Sequence, residues 1–198
     1  MSIIAVSGKM GSGKDTVGQI IQTLAGESWE VKRFSHKIKV MATLITGIPI
    51  EKFEDQEFKR TDLGDEWNLT THHWAYPVTY PMTVRDMLQK IGTEAMRNNL
   101  HQDVWVNALM IDYVRGSQLE TLPNWVITDC RFLNEAAAIK RKKGIIVRVE
   151  RPNIMTNDMH QSEIELDRYD FDYVIQNDGT LEELTEKVRV ILADRQFI

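Results

Sequence analysis

At 198 residues, 42% of them hydrophobic and 27% charged, the chain is long enough to bury one core and short for two. A formal charge of −5 argues against a broad face for a nucleic-acid polymer, while local basic clusters can still grip small phosphorylated ligands. The one cysteine, Cys130, excludes an internal disulfide, no apolar run reaches membrane-spanning length, and Ser2 to Ser7 is too short for a secretory leader, so a cytoplasmic protein with no membrane partner is expected.

Ile3, Ile4, Ala5 and Val6 read as a buried parallel strand, because so short and apolar a run suits a sheet covered on both faces. Gly8, Gly13 and Lys14 then fit G-x-x-x-x-G-K, with Gly11 and Ser12 inside the loop. The glycines let the backbone curl until its N–H groups aim at one anion, and Lys14 brings a mobile positive charge to the outer phosphates. Val17, Ile20, Ile21 and Leu24 recur at helical spacing, so a helix starting near Lys14 buries one face and turns its positive dipole end toward the loop. The loop is expected to bind a nucleoside triphosphate. The next position commonly carries Ser or Thr for Mg²⁺; here it is Asp15, followed by Thr16. A carboxylate is a hard oxygen ligand, which makes Asp15 a candidate for the metal and Thr16 a candidate donor to a phosphate.

Trp29 to Phe34 alternates like a second strand, and Ser35 is expected to cap a helix with Ile38, Met41, Ala42 and Ile45 on one face. Lys37 and Lys39 fall near its start, where a strand end opens onto a ligand crevice; Lys37 is the ligand candidate and Lys39 reads as solvated. Residues 47 to 82, broken by Gly47, Pro49, Gly64, Pro77 and Pro81, cannot supply a strand of the central sheet. With Trp67, His72, His73, Trp74, Tyr76 and Tyr80 they read as an excursion over the active-site face, offering rings to stack on a base. Thr83 and Asp86 make a capping box, after which Val84, Met87, Leu88, Ile91 and Ala95 mark a helix face. Arg85 and Arg97 are candidates for a bidentate grip on an acceptor phosphate, solvated positions being the alternative. A further helix from about 103 to 114 is expected to bury Val104, Ala108 and Ile111.

Trp125 to Thr128 form a third strand that ends in Asp129, and an acidic residue at such a tip supplies a second carboxylate near Mg²⁺ in phosphate-loop enzymes; a helix N-cap is the alternative. Arg131 sits at the same rim. Glu135 to Lys143 reads as a helix with a basic last turn closed by Gly144, and Ile145 to Val149 as a fourth strand flanked by Arg148 and Arg151. The irregular stretch that follows is expected to act as a lid over 151–170. Phe171 to Ile175 is a fifth strand, turned by Asn177, Asp178 and Gly179 into a helix capped at Thr180 that buries Leu181, Leu184, Val188 and Ile191. Strands alternating with helices predict an α/β three-layer sandwich on a five-stranded parallel sheet, with the ligand at the strands' C-terminal edge. Residues 1–198 are expected to form one domain, 35–120 being an insertion within it.

S-G-K-M-G-S-G-K-D-T (Ser7 to Thr16), T-V-R-D-M-L-Q-K-I-G-T-E (Thr83 to Glu94), I-T-D-C-R-F-L-N-E (Ile127 to Glu135), H-Q-S-E (His160 to Glu163) and F-D-Y-V-I-Q-N-D-G-T (Phe171 to Thr180) appear in that order. In these pieces the chain resembles the deoxynucleoside monophosphate kinases of tailed phages. The resemblance implies a P-loop kinase fold with sheet order 2-3-1-4-5 and transfer of the γ-phosphoryl group of ATP, with Mg²⁺, to a 2′-deoxynucleoside 5′-monophosphate. It also implies a homodimer and makes 35–120 the acceptor-binding part. In such an enzyme Lys14 would stabilise the β- and γ-oxygens, Asp15 and Asp129 would organise Mg²⁺, and Arg131 would face the transferring group. Arg85 would hold the acceptor phosphate, Arg151 and Arg168 would close from the lid, and Asn177 would edge the adenine pocket. His160, Ser162 and Glu163 match the pattern with no role beyond an internal hydrogen-bond latch. Phosphomevalonate kinases are similar in G-K-D and in the S-E and F-D-x-V-I-x-N-x-G segments, so that acceptor stays open, as does an ATP-binding switch with no acceptor.

Overall fold

Five parallel strands carry the first half of the architecture: β1 (Ile3–Ser7), β2 (Trp29–Lys32), β3 (Asn124–Ile127), β4 (Ile145–Glu150) and β5 (Tyr173–Gln176). They are hydrogen-bonded in the order β2-β3-β1-β4-β5, the 2-3-1-4-5 arrangement expected. The computed structural model describes residues 2–72, 77–116, 124–152 and 160–198, and the chain divides into two compact units, Met1–Phe34 with Val106–Ile198, and Ser35–Trp105.

In the first unit every residue of β1 is buried, as a central strand covered on both faces requires, and Ile4 pairs with Val126 on one side and Ile145 on the other. Helix α1 (Lys14–Ala25) sets Val17 and Ile21 against Val188, Ile191 and Leu192 of helix α3 (Leu181–Asp194), over Ile4 and Val147. Leu181, expected in this core, is 59% exposed, because the buried stripe of α3 starts one turn later at Leu184. Helix α2 (Leu133–Arg141) closes through Lys143, which takes the left-handed conformation at φ 58°. Gly144 is there for space instead: a Cβ would come within 2.7 Å of Ile139 Cγ2 and 2.9 Å of the Ile3 carbonyl. Helix Val104–Gly116 buries Val106, Leu109 and Tyr113 in place of the expected Ala108 and Ile111, and Tyr113 meets Trp125 edge-on at 4.8 Å.

The second unit opens with helix His36–Thr46 and continues through short turns at Ile50–Glu54, Phe58–Arg60 and Asp65–Trp67 to an antiparallel pair, Leu69–His72 with Pro77–Tyr80, separate from the parallel sheet. His73, Trp74 and Tyr76 lie outside the described residues. Ala42, Phe53, Met82, Val84 and Met87 form the unit's small core. Ser35 stands at the helix start without a side-chain capping bond, and Ile45 is exposed because the buried face runs through Lys39 and Ala42. Thr83 and Asp86 form both halves of the expected capping box on Val84–Gln89. The chain then winds as a π-helix over Lys90–Asn98, which shifts the buried face to Gly92, Thr93 and Arg97 and leaves the expected Ala95 outside. Among the described residues no helix is long and apolar enough to cross a membrane.

Candidate active site

The turn between β1 and α1 is built on backbone freedom and close approach. Gly11 and Gly13 stand at φ 80° and 97°, where side-chain-bearing residues are strained, and a Cβ on Gly8 would lie 2.7 Å from the Val149 carbonyl. The Ser12 N–H bonds the Lys9 carbonyl at 3.1 Å, and the Val17 N–H bonds that of Gly13 at 2.9 Å, so the loop runs straight into the helix. The Asn177 side-chain amide, beyond the end of β5, donates to the Ser12 carbonyl at 2.8 Å, while its backbone N–H bonds Glu150 at 2.6 Å. Asn177 therefore braces the loop from the neighbouring strand end. The Ser12 hydroxyl is buried and has no hydrogen-bond partner among the described residues, a state that a bound anion relieves.

Lys14 is only 8% exposed, and its ammonium donates to the Lys9 carbonyl at 3.3 Å. Burial first, and the positive charge of Arg131 second, bring its pKa down from 10.5 to about 8; Asp15 and Asp129 act in the opposite direction and Arg148 adds to the lowering. Arg131, Arg148 and both carboxylates are thus close enough to Lys14 to be felt by its charge.

Asp15 Oδ1 pairs with Arg33 Nη2 at 3.1 Å, and Arg33 Nε in turn donates to Thr128 Oγ1 at 3.2 Å. Asp129 accepts the Phe34 N–H at 2.8 Å, which fastens the tip of β3 to the chain leaving β2. Among the described residues no three His, Cys, Asp or Glu side chains converge. Two carboxylates beside a phosphate loop nevertheless suit Mg²⁺, which takes one or two protein oxygens and completes its octahedron with phosphates and water.

Arg131 is held at both ends: its N–H donates to Glu135 Oε2 at 2.7 Å, and its guanidinium pairs with Glu163. Glu163 Oε2 also accepts the Met10 N–H at 3.2 Å, inside the phosphate loop. Arg148, buried in β4, donates to Ser7 Oγ at 3.3 Å and to Asp167 Oδ1 at 3.0 Å, and the other Asp167 oxygen pairs with Lys9 at 3.1 Å. Arg151 and Arg168 are exposed, and residues 153–159 of the expected lid lie outside the described residues.

In the second unit Lys37 is half-buried and Arg85 donates to Gln56 Oε1 at 3.1 Å. Arg97 is buried and donates to the Gln102 carbonyl at 3.2 Å. Lys39, read as solvated, is instead buried against Glu54 at 2.6 Å, because its long apolar stem lies on the inward face of the helix.

Sequence reasoning passed over Arg33, Asp167 and the contacts of Arg148 with Ser7 and Asp167. Arg148 did carry a signal, an arginine set inside the apolar run Ile145 to Val149, which a buried strand tolerates only with partners. Arg33 directly follows β2, the same kind of strand end that singled out Asp129.

The sequence profile of the deoxynucleotide monophosphate kinase family matches residues 50–188. A putative deoxynucleotide monophosphate kinase of Acanthamoeba polyphaga mimivirus is 26% identical over 196 residues, covering 95% of this chain and 94% of that protein. The deoxynucleotide monophosphate kinase of Enterobacteria phage T4 is 33% identical over 107 residues, 54% of this chain and 44% of its own length. That of Escherichia phage RB69 is 30% identical over 112 residues, 56% of this chain and 45% of its own. The chain thus matches less than half the length of the two phage proteins. Among solved structures, an unliganded sugar kinase from a Janibacter species superposes with a TM-score of 0.50 at 15% identity, over 98% of this chain and 95% of that one, a likeness of fold alone.

Proposed function

The chain belongs to the deoxynucleotide monophosphate kinase family and is a kinase of deoxynucleoside monophosphates, and we propose that it takes the phosphoryl group from Mg²⁺-bound ATP seated in the loop from Gly8 to Thr16. One observation carries this reading. A glycine turn presents a buried Ser12 hydroxyl, without a partner among the described residues, beside a buried Lys14 whose pKa is down at about 8, and a polyphosphate both satisfies the hydroxyl and offsets the desolvated charge.

The backbone N–H groups of Gly11 and Gly13 and the Ser12 hydroxyl cradle the phosphates, and Lys14 neutralises charge on the β- and γ-oxygens. Asp15 and Asp129 hold Mg²⁺, with Thr16 donating to a phosphate. The metal, when bound, screens the negative charge of the triphosphate and fixes its orientation. Arg131 faces the transferring phosphoryl group, spreading its fork of N–H donors over the equatorial oxygens. In the second unit Lys37 and Arg85 are the acceptor-phosphate ligands. Arg97 belongs with them by sequence, but its burial and its bond to Gln102 favour a structural task. Arg151 and Arg168 close over the reactants, and Asn177 holds the loop at the nucleotide side. A homodimer in the cytoplasm belongs to the same proposal, with sedimentation velocity as its check.

ADP formation measured with each deoxy- and ribonucleoside monophosphate in turn, with phosphomevalonate, and with no acceptor tests the reaction. Turnover that requires a deoxynucleoside monophosphate is expected. ADP release that ignores the acceptor, or that phosphomevalonate alone stimulates, refutes the proposal.

A further inference from the structure

The H-Q-S-E stretch gains a task once its side chains are traced. His160 opens a short helical turn, Gln161–Ile164, in which its Nδ1 accepts the Ser162 N–H at 3.3 Å and its carbonyl accepts the Glu163 N–H at 2.8 Å. The turn delivers Glu163 inward, where it is 8% exposed. An ionised carboxylate so far from water is stable only with partners on its oxygens, and Glu163 has two from separate parts of the chain. Its Oε2 takes the Met10 N–H of the phosphate loop at 3.2 Å, and its Oε1 pairs with the Arg131 guanidinium.

We propose that Glu163 is a positioning residue: it fixes the Arg131 guanidinium and joins it to the backbone of the phosphate loop, so that arginine and loop keep one spacing throughout the reaction. The proposal rests on the reading of Arg131 as a contact to the transferring phosphoryl group. A free arginine would have to lose its rotamer freedom during each turnover, whereas one whose backbone N–H is anchored by Glu135 and whose guanidinium is held by Glu163 has its side chain ordered beforehand by the second contact. The guanidinium carries five donors, so pairing with one carboxylate leaves others for phosphate oxygens. Sequence pattern conceals the link, because Glu163 lies 153 positions from Met10.

Glu163→Gln tests it, since glutamine keeps an oxygen for the Met10 N–H while turning an NH₂ donor toward Arg131. Relative to the wild-type chain, kcat is expected to fall about 10- to 100-fold, as for a misplaced catalytic group, with KM for ATP within about threefold. Arg131→Ala is expected to lose about 100-fold or more, and Glu163→Gln added to it is expected to cost nothing further. Wild-type kcat in Glu163→Gln, a loss in KM alone, or losses that multiply in the double variant overturn the proposal. Wild-type kcat in Arg131→Ala also overturns it, and that outcome separately identifies the reading of Arg131 as the fault. Should Glu163→Gln fail to fold, Glu163→Asp keeps the charge but shortens its reach. The same fall in kcat is then expected, and wild-type kcat refutes the role.

Discussion

Replacing Lys14 with methionine should strengthen the folded chain while abolishing transfer. The native lysine is 8% exposed, and burial with the nearby Arg131 charge takes its pKa from 10.5 to about 8. That displacement corresponds to roughly 3 kcal/mol spent on keeping the ammonium charged in the fold. The sign follows from proton counting. Below pH 8 the group is charged in both states and the penalty is present in full; between about 8 and 10.5 the unfolded chain binds more protons, so stability rises with pH as the penalty is relieved. Methionine keeps most of the apolar stem and removes the charge, at the loss of the 3.3 Å bond to the Lys9 carbonyl, worth about 1 kcal/mol. The net gain at pH 7 is therefore about 1–3 kcal/mol, vanishing before pH 10.5, where only the small loss of the bond to the Lys9 carbonyl remains. Urea titrations of both chains without nucleotide at the two pH values measure the gain, and turnover should fall at least about 100-fold. A variant less stable than wild type at pH 7, or a gain identical at both pH values, refutes the account of Lys14 as a buried charge held for its ligand.

Gly18→Ala is expected to destabilise the fold by about 1–3 kcal/mol in urea titrations, despite the roughly 1 kcal/mol that alanine adds to a helix, because its Cβ collides with Thr128 Cγ2 beneath α1. A more stable variant would show that α1 can lift from the sheet. Asn177→Ala removes the amide that steadies the Ser12 carbonyl, so KM for ATP should rise about fivefold in steady-state assays; an unchanged KM would leave the brace without consequence. In Asp15→Ala the Mg²⁺ concentration for half-maximal turnover should rise at least about tenfold, and an unaltered Mg²⁺ titration would remove Asp15 from the metal's ligands.

The loop from Gly8 to Lys14 was legible because its chemistry is local: a strand, a run of glycines and a helix start must follow one another directly for the backbone to close on an anion. The capping box at Thr83 was legible for the same reason, since both partners lie within one turn. Periodicity failed where a neighbour altered the winding. The π-helix at Lys90–Asn98 goes with Gly92, whose carbonyl takes the Trp105 indole N–H at 2.7 Å and on which a Cβ would crowd Ile38 Cδ1 at 2.9 Å. A 3.6-residue repeat carries no information about that contact. Ile45, Ile111 and Leu181 misled in a related way, because apolar character marks a residue that can be buried without choosing which face is.

By itself, then, the sequence determined the alternation of strands and helices, the anion loop and the residue types at the strand tips, all of which depend on neighbours a few positions apart. The pairing of Glu163 with Arg131 and Met10, of Asp167 with Lys9 and Arg148, and of Arg33 with Asp15 was decided by tertiary structure alone. Charges find partners by distance in space, and the order in which the strands lie side by side sets those distances.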